Sequence, residues 1–278
     1  MLPALLAQDT RDQLISFLES SFSFRDPTVW DALQKFLEDP REGLFKGPYL
    51  SLELPYRKAP ADTPCLLDIS PPFLPYQHQA DSWNRLASGH TGGPLHTLVT
   101  TGTSSGKTEC FLYPLIDHCW RERRVKGIKA IILYPMNALA TDQAKRFAQV
   151  VAGGANLKGS LRVGMYVGGQ RVGDGTVVMS DAEVITNRDR LRDDPPDILL
   201  TNYKMLDLLL LRPEDRPLWQ HQKADTLRYL VVDELHTFDG AQGAEVACLI
   251  RRLRYRLMST CSIACCRLWL GRSDTESA

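Results

Sequence analysis

The stretch Thr101-Gly102-Thr103-Ser104-Ser105-Gly106-Lys107-Thr108 decides the fold. It closes the β-rich run HTLVTT (His96 to Thr101) and opens a helix-like stretch from Thr108 to Arg123. Strand, small-residue loop, Gly-Lys-Thr and helix form a phosphate cradle. Small residues let successive backbone N–H groups curl towards an anion, and the helix start adds its positive end. Lys107 then reaches the β- and γ-phosphates of a nucleotide, and the Thr108 hydroxyl is offered to Mg²⁺. The strict pattern has glycine where Thr101 stands, a mild departure to another small residue. An ordinary glycine turn explains Gly102 and Gly106 but not Gly-Lys-Thr between a strand and a helix.

Further β-rich runs follow: Lys129 to Pro135, Arg162 to Gly168, Asp197 to Tyr203 and Arg228 to Glu234, with a helix-like stretch from Thr141 to Val151. Strand alternating with helix predicts an α/β fold, a parallel sheet with helices on both faces. Near-continuous apolar runs fit strands buried on both sides. Ligands of such sheets bind beyond the carboxyl ends of the strands. The last run ends there in Asp233-Glu234, followed by Leu235-His236. Two carboxylates ending a buried strand are costly unless they serve something. Beside a phosphate loop, Asp233 is expected to hold Mg²⁺ and Glu234 to orient and deprotonate the attacking water.

The chain has 278 residues, 33 basic against 33 acidic, with 44% hydrophobic content. That length buries a core without disulfides or a structural metal, and zero net charge excludes a simple polycation coating nucleic acid or membrane. No apolar run approaches the ~20 residues that span a bilayer. The start lacks a basic region, so no signal peptide and no membrane partner are expected. Seven Cys without a CxxC pair suggest a reducing, cytoplasmic setting. Cys65, Cys110, Cys119 and Cys248 read as buried thiols; Cys261, Cys265 and Cys266 crowd near the end. Upstream, Leu14, Ile15, Leu18 and Phe22 recur at helical spacing, as do Trp30, Leu33, Phe36 and Leu37, with Asp26-Pro27-Thr28 as cap. Pro40 to Pro75 reads as an irregular connector laid over a neighbouring domain. Arg121, Arg123, Arg124, Lys126 and Lys129, and again Arg251, Arg252, Arg254 and Arg256, read as solvated helix faces.

TGTSSGKTE, YPMNALATDQ, LLTNYKMLD and VVDELHTFDG, in that order, resemble the successive motifs of superfamily 2 DEAD/DEAH-box helicases. The nearest likeness is to the large bacterial DELH-type helicases of DNA repair or phage defence. The resemblance covers about Pro71 to Leu257. It implies a RecA-like P-loop NTPase lobe over 71–258, preceded by a helical extension over 1–70 and followed by an atypical tail over 259–278. It implies ATP and Mg²⁺ as cofactors and nucleic acid, DNA in that subgroup, as partner. Gln79 would read adenine, with Tyr76 or Phe73 stacking nearby. Pro135 and Asn137, Gly168 and Gly169, and Thr201 and Asn202 would meet the nucleic-acid backbone, although Asn137 replaces the usual Arg and the glycine pair reads equally as a turn. His236 would couple the nucleotide to a neighbouring lobe.

The family continues into a strand ending Ser-Ala-Thr and then a second RecA-like lobe with an arginine finger. This sequence has neither, so the second lobe is expected from a missing C-terminal part or another chain. The tail fits a frameshift or truncation, and the chain alone is expected to hydrolyse ATP poorly and not to unwind. A double-strand DNA translocase lobe, or a fragment that binds without turnover, remains an alternative.

Overall fold

The computed structural model describes residues 3–22, 24–39, 41–44, 55–69, 71–89, 93–102, 105–154, 156–169, 175–257 and 262–268. The chain divides into two compact units, Met1–Pro55 and Tyr56–Ala278. The first carries α1 (Pro3–Ser21) and α2 (Pro27–Leu37). Asp26 caps α2, accepting from the Thr28 N–H at 2.9 Å, with Pro27 in the first turn where its missing N–H costs nothing. Within this unit Arg11 pairs with Glu38 at 2.6 Å, and the Trp30 indole donates to Glu19 at 3.0 Å.

The second unit is built on a six-stranded, fully parallel sheet in the order β1-β6-β5-β2-β4-β3. Its strands are β1 (Thr97–Thr101), β2 (Ala130–Tyr134), β3 (Val163–Tyr166), β4 (Ile198–Asn202), β5 (Tyr229–Val232) and β6 (Ser262–Leu268). The helices are α3 (Gln77–Leu86), α4 (Lys107–Arg121), α5 (Asn137–Gly153), α6 (Arg188–Asp193), α7 (Tyr203–Leu211) and α8 (Gly240–Leu257). Alternate strand residues feed opposite cores. Ile132, Leu200 and Val231 pack with Phe111, Leu115 and Phe147 on the side of α3, α4 and α5. Ile131, Leu199 and Leu230 pack with Leu206, Leu209 and Leu253 on the side of α7 and α8. Burial on both faces is why these runs are almost wholly apolar.

The strand absent from the sequence reading is β6. Residues 262–268 of the stretch set apart as a tail enter the sheet between β1 and β5, with Val99 opposite Cys266 and Val232 opposite Cys265. Cys261 lies outside the described residues. Two of the thiols expected to be buried, Cys65 and Cys248, are exposed, while Cys110 and Cys119 are buried. Cys65 sits in the irregular segment and Cys248 on the outer side of α8, away from its stripe of Val246, Leu249, Leu253 and Leu257.

The first basic patch is not uniformly solvated. Lys129 is 1% exposed and pairs with Asp197 at 2.5 Å, joining the entries to β2 and β4. Arg121 pairs with Asp117 and Asp68 at 2.8 and 3.1 Å. Asp117 also accepts the Asp68 and Ile69 N–H groups at 2.7 and 3.0 Å. These bonds lay the irregular segment over α4. Among the described residues no helix is long and apolar enough to cross a membrane.

Candidate functional site

The phosphate loop follows β1, and its base is closed by hydroxyls. Thr101 Oγ1 and Ser105 Oγ lie 2.6 Å apart, with Ser105 fully buried. The threonine at the first loop position therefore supplies a cross-brace that glycine lacks. Gly106 precedes α4 with φ 73, and a Cβ there would stand 2.4 Å from the Gln79 amide nitrogen. Both the left-handed backbone and the close approach require glycine. The Lys107 ammonium donates to the Gly102 and Thr101 carbonyls at 2.8 and 3.2 Å. Thr103 and Ser104 lie outside the described residues. Thr108 stands half-buried in the first turn of α4.

Gln79 stands against the phosphate loop. It is 3% exposed, its Oε1 accepts from the Tyr76 N–H at 2.9 Å, and its Nε2 donates to the Gly106 carbonyl at 3.1 Å. Its amide braces the loop from α3. Phe73 packs edge-on to Tyr113 at 5.7 Å. The aromatic group beside the loop is Tyr56, Tyr76 and His78. Tyr76 and His78 stack at 5.7 Å and 12°, Tyr56 lies 5.7 Å from each, and the Tyr56 hydroxyl is 2.6 Å from where a Gly102 Cβ would stand. The His78 ring nitrogen is 2.9 Å from the Ser105 carbonyl, and burial holds its pKa below the usual range. Tyr56 was missed because it sits in an irregular, proline-rich segment without periodicity.

Across β6, the end of β5 carries the acidic pair. Asp233 is 7% exposed. Burial pushes its carboxyl up to about 6, and the Glu234 charge adds to this. The Glu234 N–H, Lys107 and His236 work in the opposite direction. Lys107 and Asp233, from different strand ends, thus lie within electrostatic reach. The Glu234 N–H donates to Asp233 Oδ1 at 2.9 Å, and His236 Nδ1 lies 3.4 Å from Glu234 Oε2. A buried carboxylate that its surroundings leave undercompensated, with Thr108 and a lysine at the facing loop, suits a hard divalent cation with oxygen ligands.

The expected nucleic-acid residues gather at the carboxyl ends of β2, β3 and β4. Asn202 Nδ2 donates to Asn137 Oδ1 at 2.8 Å, and its Oδ1 caps α7 by accepting from the Met205 N–H at 2.7 Å. Pro135 follows β2 directly, and Met136 beside it is 64% exposed. Thr201 is a correction: it is fully buried and its hydroxyl donates to the Tyr166 carbonyl at 2.7 Å, so its side chain braces β3 against β4. Gly169 has φ 90 and is exposed, which makes it a turn residue that needs glycine. Arg188 was missed: it donates to the Val167 carbonyl at 3.1 Å, with its guanidinium 5.2 Å over the Tyr166 ring, beside the glycine pair. Tyr203 at the start of α7 meets Phe238 edge-on at 5.8 Å, joining this edge to the turn after the acidic pair.

The family model described as DEAD/DEAH box helicase matches residues 76–266. The Druantia protein DruE of Escherichia coli is 27% identical over 88% of this chain and 19% of its own length. The ATP-dependent helicase hrq1 of Schizosaccharomyces pombe is 29% identical over 64% of this chain and 14% of its own length. Among solved structures, the DUF1998 helicase MrfA superposes with a TM-score of 0.53 at 26% identity, covering 70% of this chain and 27% of that one. A DNA-bound structure of MrfA gives 0.53 at 25% identity, covering 69% and 22%. The chain spans about a fifth or less of the curated relatives described.

Proposed function

Because the chain belongs to the DEAD/DEAH box helicase family, we propose that it is the nucleotide-binding first lobe of an ATP-dependent helicase acting on DNA. The observation that carries this is the Gly-Lys-Thr loop after β1 facing the buried Asp233 at the end of β5, with Lys107 within electrostatic reach, at the carboxyl edge of one parallel sheet. The likeness to MrfA, solved with DNA, supports DNA as the track, in DNA repair or defence. A soluble, cytoplasmic site of action agrees with the thiol content.

In this reading the loop N–H groups of Gly102 to Thr108 cradle the phosphates, and Lys107 leaves the Thr101 and Gly102 carbonyls to meet them. Tyr56 and Tyr76 offer ring faces to the base, while Gln79 keeps the loop in shape. Thr108 and Asp233 hold Mg²⁺, which when bound neutralises charge on the β- and γ-phosphates. Glu234 orients the attacking water and takes its proton. His236 carries the state of the site to the neighbouring lobe. Asn137, Asn202, Pro135, Gly168, Gly169 and Arg188 form the edge that meets the strand, and Thr201 supports it from below. Residues 1–55 are an accessory element, and the motor lobe runs from Tyr56 through β6. A second RecA-like lobe brings the arginine finger, worth ~10³ to 10⁵ in rate in comparable systems. The chain alone therefore turns over slowly and does not unwind.

The test is ATP turnover by the purified chain, with and without single- and double-stranded DNA, and with a separately expressed second lobe from a relative. Stimulation by lobe and DNA together, abolished by Lys107→Ala, is expected. Turnover unaffected by Lys107→Ala, or strand separation by the chain alone, defeats the reading.

A further inference from the structure

Glu234 is the one residue other than glycine with a left-handed backbone among the described residues, at φ 48 and ψ 45. An L-residue enters that region at a disadvantage of roughly tenfold, so its surroundings must hold it there. Its carbonyl accepts twice from Thr237, from the N–H at 2.9 Å and from the hydroxyl at 2.8 Å. Its own N–H is taken by Asp233. The turn beyond is anchored: Phe238 is buried against Tyr203, and a Cβ on Gly243 would stand 2.7 Å from the Phe238 carbonyl. Thr237 is therefore held in place by its neighbour, although it is itself exposed. Its hydroxyl adds a second bond, beside that of its own N–H, to the carbonyl of the acid three residues back.

We propose that Thr237 is a positioning residue, whose hydroxyl clamps Glu234 in the left-handed conformation and so fixes where the Glu234 carboxylate stands. The inference rests on the reading of Glu234 as the group that activates water. The clamp acts on the conformation of the acid and leaves the phosphate loop alone. It therefore governs the hydrolytic step and not nucleotide affinity. The His236 contact at 3.4 Å bears on the far end of the same side chain, so Thr237 and His236 restrain Glu234 from its two ends.

The test uses the full chain carrying Thr237→Val, which keeps the shape and deletes the hydroxyl, and Thr237→Ser, which restores it. Three quantities are read: single-turnover ATP hydrolysis with protein in excess and with DNA and the separately expressed second lobe present, affinity for a fluorescent ATP analogue, and the Glu234 backbone in crystals of each variant. Loss of one such bond predicts about a fivefold lower rate for Thr237→Val. Analogue affinity should stay unchanged, Thr237→Ser should recover the rate, and Glu234 should leave the left-handed region in Thr237→Val. A Thr237→Val chain at full rate, a Thr237→Ser chain as slow as Thr237→Val, or a left-handed Glu234 retained in Thr237→Val overturns the proposal. If the parent chain hydrolyses no faster than Lys107→Ala, the hydrolytic reading itself fails. The Glu234 conformation in the Thr237→Val crystals then decides the clamp by itself.

Discussion

Replacing Asp233 with Asn should stabilise the nucleotide-free chain while abolishing turnover. Burial lifts the Asp233 carboxyl from 3.8 to about 6, and the side chain is nearly sealed from solvent. A shift of roughly two units at 1.36 kcal/mol per unit means that ionising this group costs the folded chain about 3 kcal/mol. Between the two pKa values the native state keeps a proton that the unfolded state has lost, so stability falls as pH rises through this window. Above the native value the cost is constant; below the unfolded value it vanishes. Asn does not ionise, and its Oδ1 still accepts the Glu234 N–H that now lies at 2.9 Å. The gain from Asp233→Asn should therefore be near zero at about pH 4 and about 3 kcal/mol at about pH 8. Urea unfolding of both proteins across that range, in a chelating buffer without nucleotide, measures it. A gain of equal size at both ends, or a loss at the alkaline end, refutes the claim that the cost is an ionised, desolvated carboxylate. A stabilised but inactive variant is what a site that trades stability for chemistry predicts.

The buried pair offers a second check: Lys129→Met strands Asp197 without its counter-charge and should cost about 3–5 kcal/mol in urea unfolding, with part recovered by adding Asp197→Asn. At the strand edge, Asn202→Ala removes both the α7 cap and the bond to Asn137; it should cost about 1 kcal/mol of stability and weaken single-stranded DNA binding in fluorescence anisotropy. Asn202→Asp keeps the cap yet should weaken binding at least as much, because it sets a negative charge beside the phosphates. Alkylation with peptide mapping should label Cys65 and Cys248 in the native chain. Cys110, whose thiol burial pushes up to about 11, and Cys119 should react only after unfolding.

Much of the site was legible because its parts are contiguous. The phosphate loop announces itself as small residues between an apolar strand and a helix, and Asp233-Glu234 as charge at the end of an otherwise uncharged strand. What escaped depended on contacts distant in sequence. Tyr56 has no periodicity around it, yet it folds back onto Gly102. Gln79 was read as a base contact because an amide suits a base edge. Its bonds to Tyr76 and Gly106 depend on α3 lying against the loop. Thr201 looked like part of a binding edge, but the alternation of strand faces turned its hydroxyl to Tyr166. Ser262–Leu268 was set apart because it does not end in Ser-Ala-Thr, and the register that places it between β1 and β5 is set by its neighbours.

The sequence by itself determined the fold class, because residue periodicity and loop chemistry are local properties that the backbone must obey. It also determined the residues of the phosphate loop and the acidic pair, whose chemistry lies in their side chains. Only the tertiary structure decided which of these side chains face an opening and which are spent as braces. That depends on strand order, on which face of each strand a residue occupies, and on hydrogen-bond partners supplied from far along the chain. It also decided the energetic state of Asp233, since a carboxylate's ionisation responds to the water it loses, and burial is a property of the packed lobe.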